Sequence, residues 1–193
     1  MYTSFFTTFA LLSATSVMAI PHALSNRQAR ACFLIGNTAL PQEVVDAAAS
    51  LQSTVTCNAA VTPLSGVPDV TSGSTSFSSI DFSKSSKSPL QFALETFATK
   101  TPLADTDLAT FQDSVNVYTA TEAGIRSVGG NLAIKVPKFF LAMQISRIQT
   151  AQGNPPTAAG LQVDHLRDKV TKNAAGERKA LIDQVVALAA VTA

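Results

Sequence analysis

The stretch from Ala104 to Gln152, ADTDLATFQDSVNVYTATEAGIRSVGGNLAIKVPKFFLAMQISRIQTAQ, constrains the fold more than any other part of the chain. It reads as two helices folded back on each other at Ser127–Asn131. Asp105 or Thr106 is placed to cap the first arm, where an acid also suits the helix dipole. Leu108, Phe111, Val115, Tyr118 and Ile125 then recur at helical spacing on one face. Val128-Gly129-Gly130-Asn131 supplies the residues that stop a helix, and Pro137 suits the first turn of the second arm. That arm, Lys138–Gln152, carries Phe139, Phe140, Leu141, Met143, Ile145 and Ile148. Its apolar surface is too wide for a helix packed on one side, so its expected place is near the middle of a bundle. The ordinary role of these side chains is core packing. The alternative is an apolar ligand site or contact surface lined by Phe139, Phe140 and Met143.

The rest of the chain supplies further helices. Thr38 and Pro41 open one whose stripe is Val44, Ala48, Leu51 and Val55, ending near Cys57. Ser88-Pro89 opens another on Leu90, Ala93, Leu94 and Phe97, and Thr101-Pro102 stops it. After the breaker Gly153–Thr157, one helix follows on Ala159, Val163, Leu166 and Val170, and a last one on Leu181, Val185 and Leu188. Between the first two, Pro63, Gly66, Pro68 and Gly73 punctuate the chain. Eleven of the eighteen residues from Thr71 to Ser88 are Ser or Thr, which is loop chemistry and also permits O-glycosylation. The expectation is an all-α, single-domain bundle of about five to six helices over residues 31–193, with a Ser/Thr-rich loop near 58–88.

Residues 1–19 have the character of a secretory signal. Phe5 to Met18 is uncharged and mostly apolar or small, and Val17-Met18-Ala19 suits a signal peptidase. Residues 20–30, with Arg27 and Arg30, read equally as a pro-segment or a flexible tail. No stretch reaches the roughly 20 apolar residues of a membrane span. In an exported chain the two cysteines, Cys32 and Cys57, are expected to form a disulfide. The expected location is extracellular, in the wall or matrix.

Charge is uneven. From Ala31 to Gly124 nine acids face three bases, a net of −6; from Ile125 to Ala193 four acids face nine bases, a net of +5. Solvated helix faces account for this. Self-association through opposite charges is the alternative. Lys169, Lys172, Arg178 and Lys179 are interleaved with acids, so no nucleic-acid partner is expected.

Catalytic sets are thin. His165 is the one histidine after residue 30 and stands between Asp164 and Asp168, as on a charged helix face. It has no second histidine or free cysteine for a metal site, and no Gly-x-Ser-x-Gly turn accompanies it. Gly129-Gly130 is not a phosphate loop. No cofactor and no metal are expected. A hydrolase working through paired carboxylates is a third reading.

The chain resembles small secreted proteins of filamentous, mushroom-forming fungi. The resemblance rests on ACFLIGNTALP (31–41), SGVPDVTSG (65–73), SIDFSKSS (79–86) and SVGGNLAIKVPKFFLAMQISRIQTAQGNPPTAAG (127–160). It carries no catalytic motif, and the chain lacks the eight cysteines of a hydrophobin. The resemblance implies a non-enzymatic structural protein of the wall and matrix that aids aerial hyphae formation and attachment to hydrophobic surfaces. A secreted binding module for a lipid, a small apolar ligand or a host protein is the alternative.

Overall fold

The computed structural model describes residues 30–192. The signal at 1–19 and all but the last residue of the 20–30 segment lie outside the described residues. Six α-helices are present among the described residues: α1 (Gln42–Leu51), α2 (Pro89–Thr96), α3 (Leu108–Ser127), α4 (Lys135–Ala151), α5 (Val163–Asn173) and α6 (Lys179–Ala189). A three-stranded antiparallel sheet accompanies them, in the order β1 (Val55–Asn58), β2 (Asp69–Ser72), β3 (Thr75–Ser76). The fold is therefore mixed α and β, and the all-α expectation is corrected.

The correction falls at Val55. The apolar stripe read through it leaves the helix at Leu51, and Val55 becomes the buried start of β1. Val55-Thr56 and Val70-Thr71 are β-branched pairs, which suit a pleated strand better than a helix. Val55 stands opposite Ser72 and Asn58 opposite Asp69. The Gly and Pro residues that signal a loop lie mainly between the strands: Gly66 and Gly73 have positive φ at the turns, as does Ser65. The Ser/Thr stretch is likewise ordered by hydrogen bonds. Asp69 accepts from the Ser78 amide at 2.8 Å and from the Ser78 hydroxyl at 2.6 Å. Asp81 accepts from the Ser83 amide at 2.9 Å.

The hairpin forms as its sequence dictates. Asp107, rather than Asp105 or Thr106, caps α3 by accepting from the Ala109 amide at 3.0 Å. Gly129, with φ +69°, and Gly130, whose amide donates to Ile125 O at 2.9 Å, end the helix. α4 lies against α2, α3 and α5. Ser88 caps α2, and Glu177 accepts a second first-turn amide there, that of Leu90, at 3.1 Å.

α3 is the centre of the molecule. α1, the sheet and α4 all pack against it. Its Tyr118 is enclosed by Phe77, Phe82 and Phe97, with ring centroids 5.2, 6.3 and 5.8 Å away, and donates to Ile80 O at 2.6 Å. Burial, with the nearby Asp81 charge, pushes the phenol well above its ordinary pKa. Further along, the segment before α1 lies directly on α3. A Cβ on Gly124 would stand 2.5 Å from Phe33 O, and one on Gly36 would stand 2.0 Å from Ser127 O. Ser127 Oγ accepts from the amides of Ile35 and Gly36 at 3.2 and 2.9 Å, and donates to Gly124 O at 2.6 Å. The Cys32–Cys57 disulfide, Cα–Cα 6.0 Å, ties the same segment to β1.

Two outcomes are expected. The Cys32→Ala/Cys57→Ala protein should lose on the order of 3 kcal/mol in urea unfolding, from the freed loop of 24 residues between the cysteines. Gly124→Ala should cost about 1–3 kcal/mol, because the added methyl meets backbone that cannot turn away. An unchanged urea midpoint in Gly124→Ala would contradict the close approach.

Candidate functional site: a cationic groove

Four helices form a groove of about 460 Å³. Its floor is the α3–α4 pair and its walls are α1 and α5. Helical spacing decides which side chains face it. Thr119, Glu122, Ala123 and Arg126 recur at steps of three, one and three on α3. Lys135 and Lys138 are one turn apart on α4, as are Lys169 and Lys172 on α5. α1 contributes Glu43, Val44 and Ala47. Five cations thus line the groove against two carboxylates.

Glu122 organises the floor. It is 3% exposed and lies between two cations. Arg126 Nε donates to its Oε1 at 2.7 Å, and the Lys138 ammonium pairs with Oε2. One buried carboxylate holding two cations leaves the group with a net positive charge, and Arg126 and Lys138 keep 20% and 18% of their side-chain surface open. Lys138 Nζ also stands 4.4 Å from the centre of the Phe139 ring. The other three cations differ from these. Among the described residues, no carboxylate stands within ion-pair distance of Lys135, Lys169 or Lys172. Three unpaired ammonium groups beside a net-positive floor make the groove attractive to an anion.

The residues singled out in the sequence are divided by the structure. Phe139 is half-buried and lines the groove. Phe140 and Met143 have no exposed surface and belong to the core, so the three do not form one apolar site. Cys32 and Cys57 are bonded to each other. His165 is exposed, and its neighbours Asp164 and Asp168 are held by Arg167 at 2.6 and 2.9 Å. Among the described residues, no three His, Cys, Asp or Glu side chains are placed to hold a metal ion, and no helix is long and apolar enough to cross a membrane.

The groove itself is not evident in the sequence. Lys169 and Lys172 are interleaved with acids along the chain, yet α5 turns those acids away and sets both lysines opposite α4. The available signal is the excess of bases after Ile125.

The DUF7143 family, a domain of unknown function, matches residues 34–193. The chain belongs to this family. The match spans all six helices and all three strands, and therefore every residue of the groove. No curated protein and no solved structure matches the chain.

Glu122→Gln tests the floor of this DUF7143 groove. The amide keeps the shape and removes the charge between two half-buried cations, so stability should fall by about 2–3 kcal/mol. Thermal unfolding in low and high salt measures it, with the loss smaller in high salt, where the freed cations are screened.

Proposed function

We propose that the protein is an exported, non-enzymatic interaction protein of the fungal cell wall or extracellular matrix, and that its groove holds an anionic component of that matrix. The observation that carries this reading is the convergence of Lys135, Lys169 and Lys172, without carboxylate partners among the described residues, beside the net-positive floor built on Glu122. The signal-like residues 1–19 and the disulfide support export. The buried acids support a non-enzymatic role. Asp69 and Asp81 are hydrogen-bonded to serines and Glu122 is ion-paired, so each already has a structural task. Attachment to hydrophobic surfaces and a part in aerial growth belong to the same reading. Val186 and Val191, both about half exposed at the end of the chain, are the apolar groups that would serve it.

The decisive experiment is chromatography on an immobilised polyuronate at low salt. The wild-type protein should be retained and should elute as salt screens the contact. Lys169→Glu/Lys172→Glu should elute much earlier, with an affinity about tenfold or more weaker, while circular dichroism stays unchanged because both side chains are exposed. Equal retention of the two proteins would remove the groove from the function.

A further inference from the structure

Arg147, on α4, has a combination of burial and missing charge partner that the groove does not explain. It is 2% exposed, and among the described residues no carboxylate lies within ion-pair distance of it. Its Nε donates to Val191 O at 2.9 Å and its Nη1 to Gln144 Oε1 at 2.5 Å. Gln144 in turn donates to Phe97 O at 2.9 Å, which fixes the amide. A guanidinium has five N–H groups in a planar fork, and only two are used here. Nη2 has no hydrogen-bond partner among the described residues. Arg147 and Gln144 lie at the base of a cavity of about 310 Å³, which is where the remaining donors can be reached.

The walls of that cavity indicate what would fit. Leu94, Pro102, Leu103, Leu188 and Val191 make it largely apolar. Lys100 stands exposed at the rim. A buried cation without a counter-ion among the described residues is costly, and burial here lowers the guanidinium pKa from its ordinary value. Arginine nevertheless stays protonated, so relief must come from an anion rather than from loss of the proton.

We propose that this cavity binds a small organic acid with an apolar body, its carboxylate held by the free edge of Arg147 and its body against Leu94, Leu103 and Leu188. Two parallel N–H groups match two carboxylate oxygens. A single negative charge balances the single buried positive charge, whereas a phosphate dianion would bring a second charge into an apolar enclosure. The site is separate from the groove and does not depend on its reading.

Octanoate is the probe, with octanol and inorganic phosphate as controls. The full chain is titrated by calorimetry and by amide chemical shifts. Octanoate should bind saturably and raise the melting temperature, shifting the amides of Leu103, Arg147 and Val191. Octanol and phosphate should neither bind nor displace it. Arg147→Met should weaken octanoate binding by about tenfold or more. Because that variant removes structural hydrogen bonds, Ala98→Trp provides an independent check: Ala98 is an exposed residue of the cavity wall, and a bulky ring there should block entry while Arg147 keeps its contacts. Lys169→Glu/Lys172→Glu should bind octanoate like the wild type. No saturable binding by the wild-type protein would overturn the proposal. So would binding that survives both Arg147→Met and Ala98→Trp, or displacement of octanoate by phosphate.

Discussion

The fold depends on how closely the backbone of the segment before α1 can approach α3. Gly124 and Ser127 present almost no side-chain bulk to that approach, and Gly36 presents none in return. Ser127 Oγ then answers two amides of that segment, in part-buried hydrogen bonds, and it returns its own proton to Gly124 O. The consequences spread outward. Phe33 enters the core without exposed surface, and Cys32 lies where Cys57 can reach it. β1 is thereby fixed beside α3, and β2 follows through its register with β1. On the far side of β2, Ser72 donates to Asp113 at 2.8 Å and accepts from Asn116 at 3.1 Å, which seats the sheet on α3 a second time. Backbone contact and a covalent bridge thus act on the same few residues.

The same helix connects the core to the groove. Glu122 and Gly124 are two residues apart, so they emerge on nearly opposite faces of α3. One face closes against the N-terminal segment, and the other carries a carboxylate toward α4. A carboxylate so buried has to be paired, and the cations that pair with it are Arg126, one turn along α3, and Lys138, across the hairpin. Their pairing gives the α3–α4 contact a polar component. Because two cations share one acid, the contact ends with surplus positive charge facing outward. Lys135, Lys169 and Lys172 extend that surplus across the groove to α5. The groove's charge is in this sense a result of how the hairpin is packed.

The helices were legible because each carries its own signals: Ser88-Pro89 at the start of α2, an Asp before α3, and glycines at 129 and 130. The sheet was not. Its strands are four, four and two residues long, too short for an alternating pattern to stand out. Val55 also fits the helical spacing of Val44, Ala48 and Leu51, so one stripe ran across two elements. What separates them is a pairing with Ser72, seventeen positions away, and local periodicity contains no trace of it. The disulfide was legible for the opposite reason: two cysteines in an export-type chain leave one pairing. Of the apolar trio in α4, Phe139 reaches the candidate site, while Phe140 and Met143 turn into the core. The three lie within an arc of about 100° on α4, so helical spacing does not separate the one that meets the groove from the two that are packed away; the surrounding helices α2, α3 and α5 do that.

Arg147 shows why burial must be read together with partners. Arg126 and Arg147 lie on adjacent helices and both leave most of their surface in the protein. Arg126 has a carboxylate one turn away, and its charge is answered within the fold. Arg147 has a carbonyl and an amide oxygen instead, which satisfy hydrogen-bond geometry but supply only partial charge. Hydrogen-bond counting would favour Arg147, with two bonds to the one of Arg126, whereas Coulombic accounting reverses the order, since a formal opposite charge at contact distance outweighs a dipole in a medium of low polarity. The difference also has a place in the molecule. Arg126 opens onto a groove already rich in cations, whereas Arg147 stands at the base of a largely apolar cavity whose other cation, Lys100, lies exposed at the rim. The first arrangement favours extended partners with many negative charges in reach of several lysines, and the second favours a single carboxylate small enough to enter.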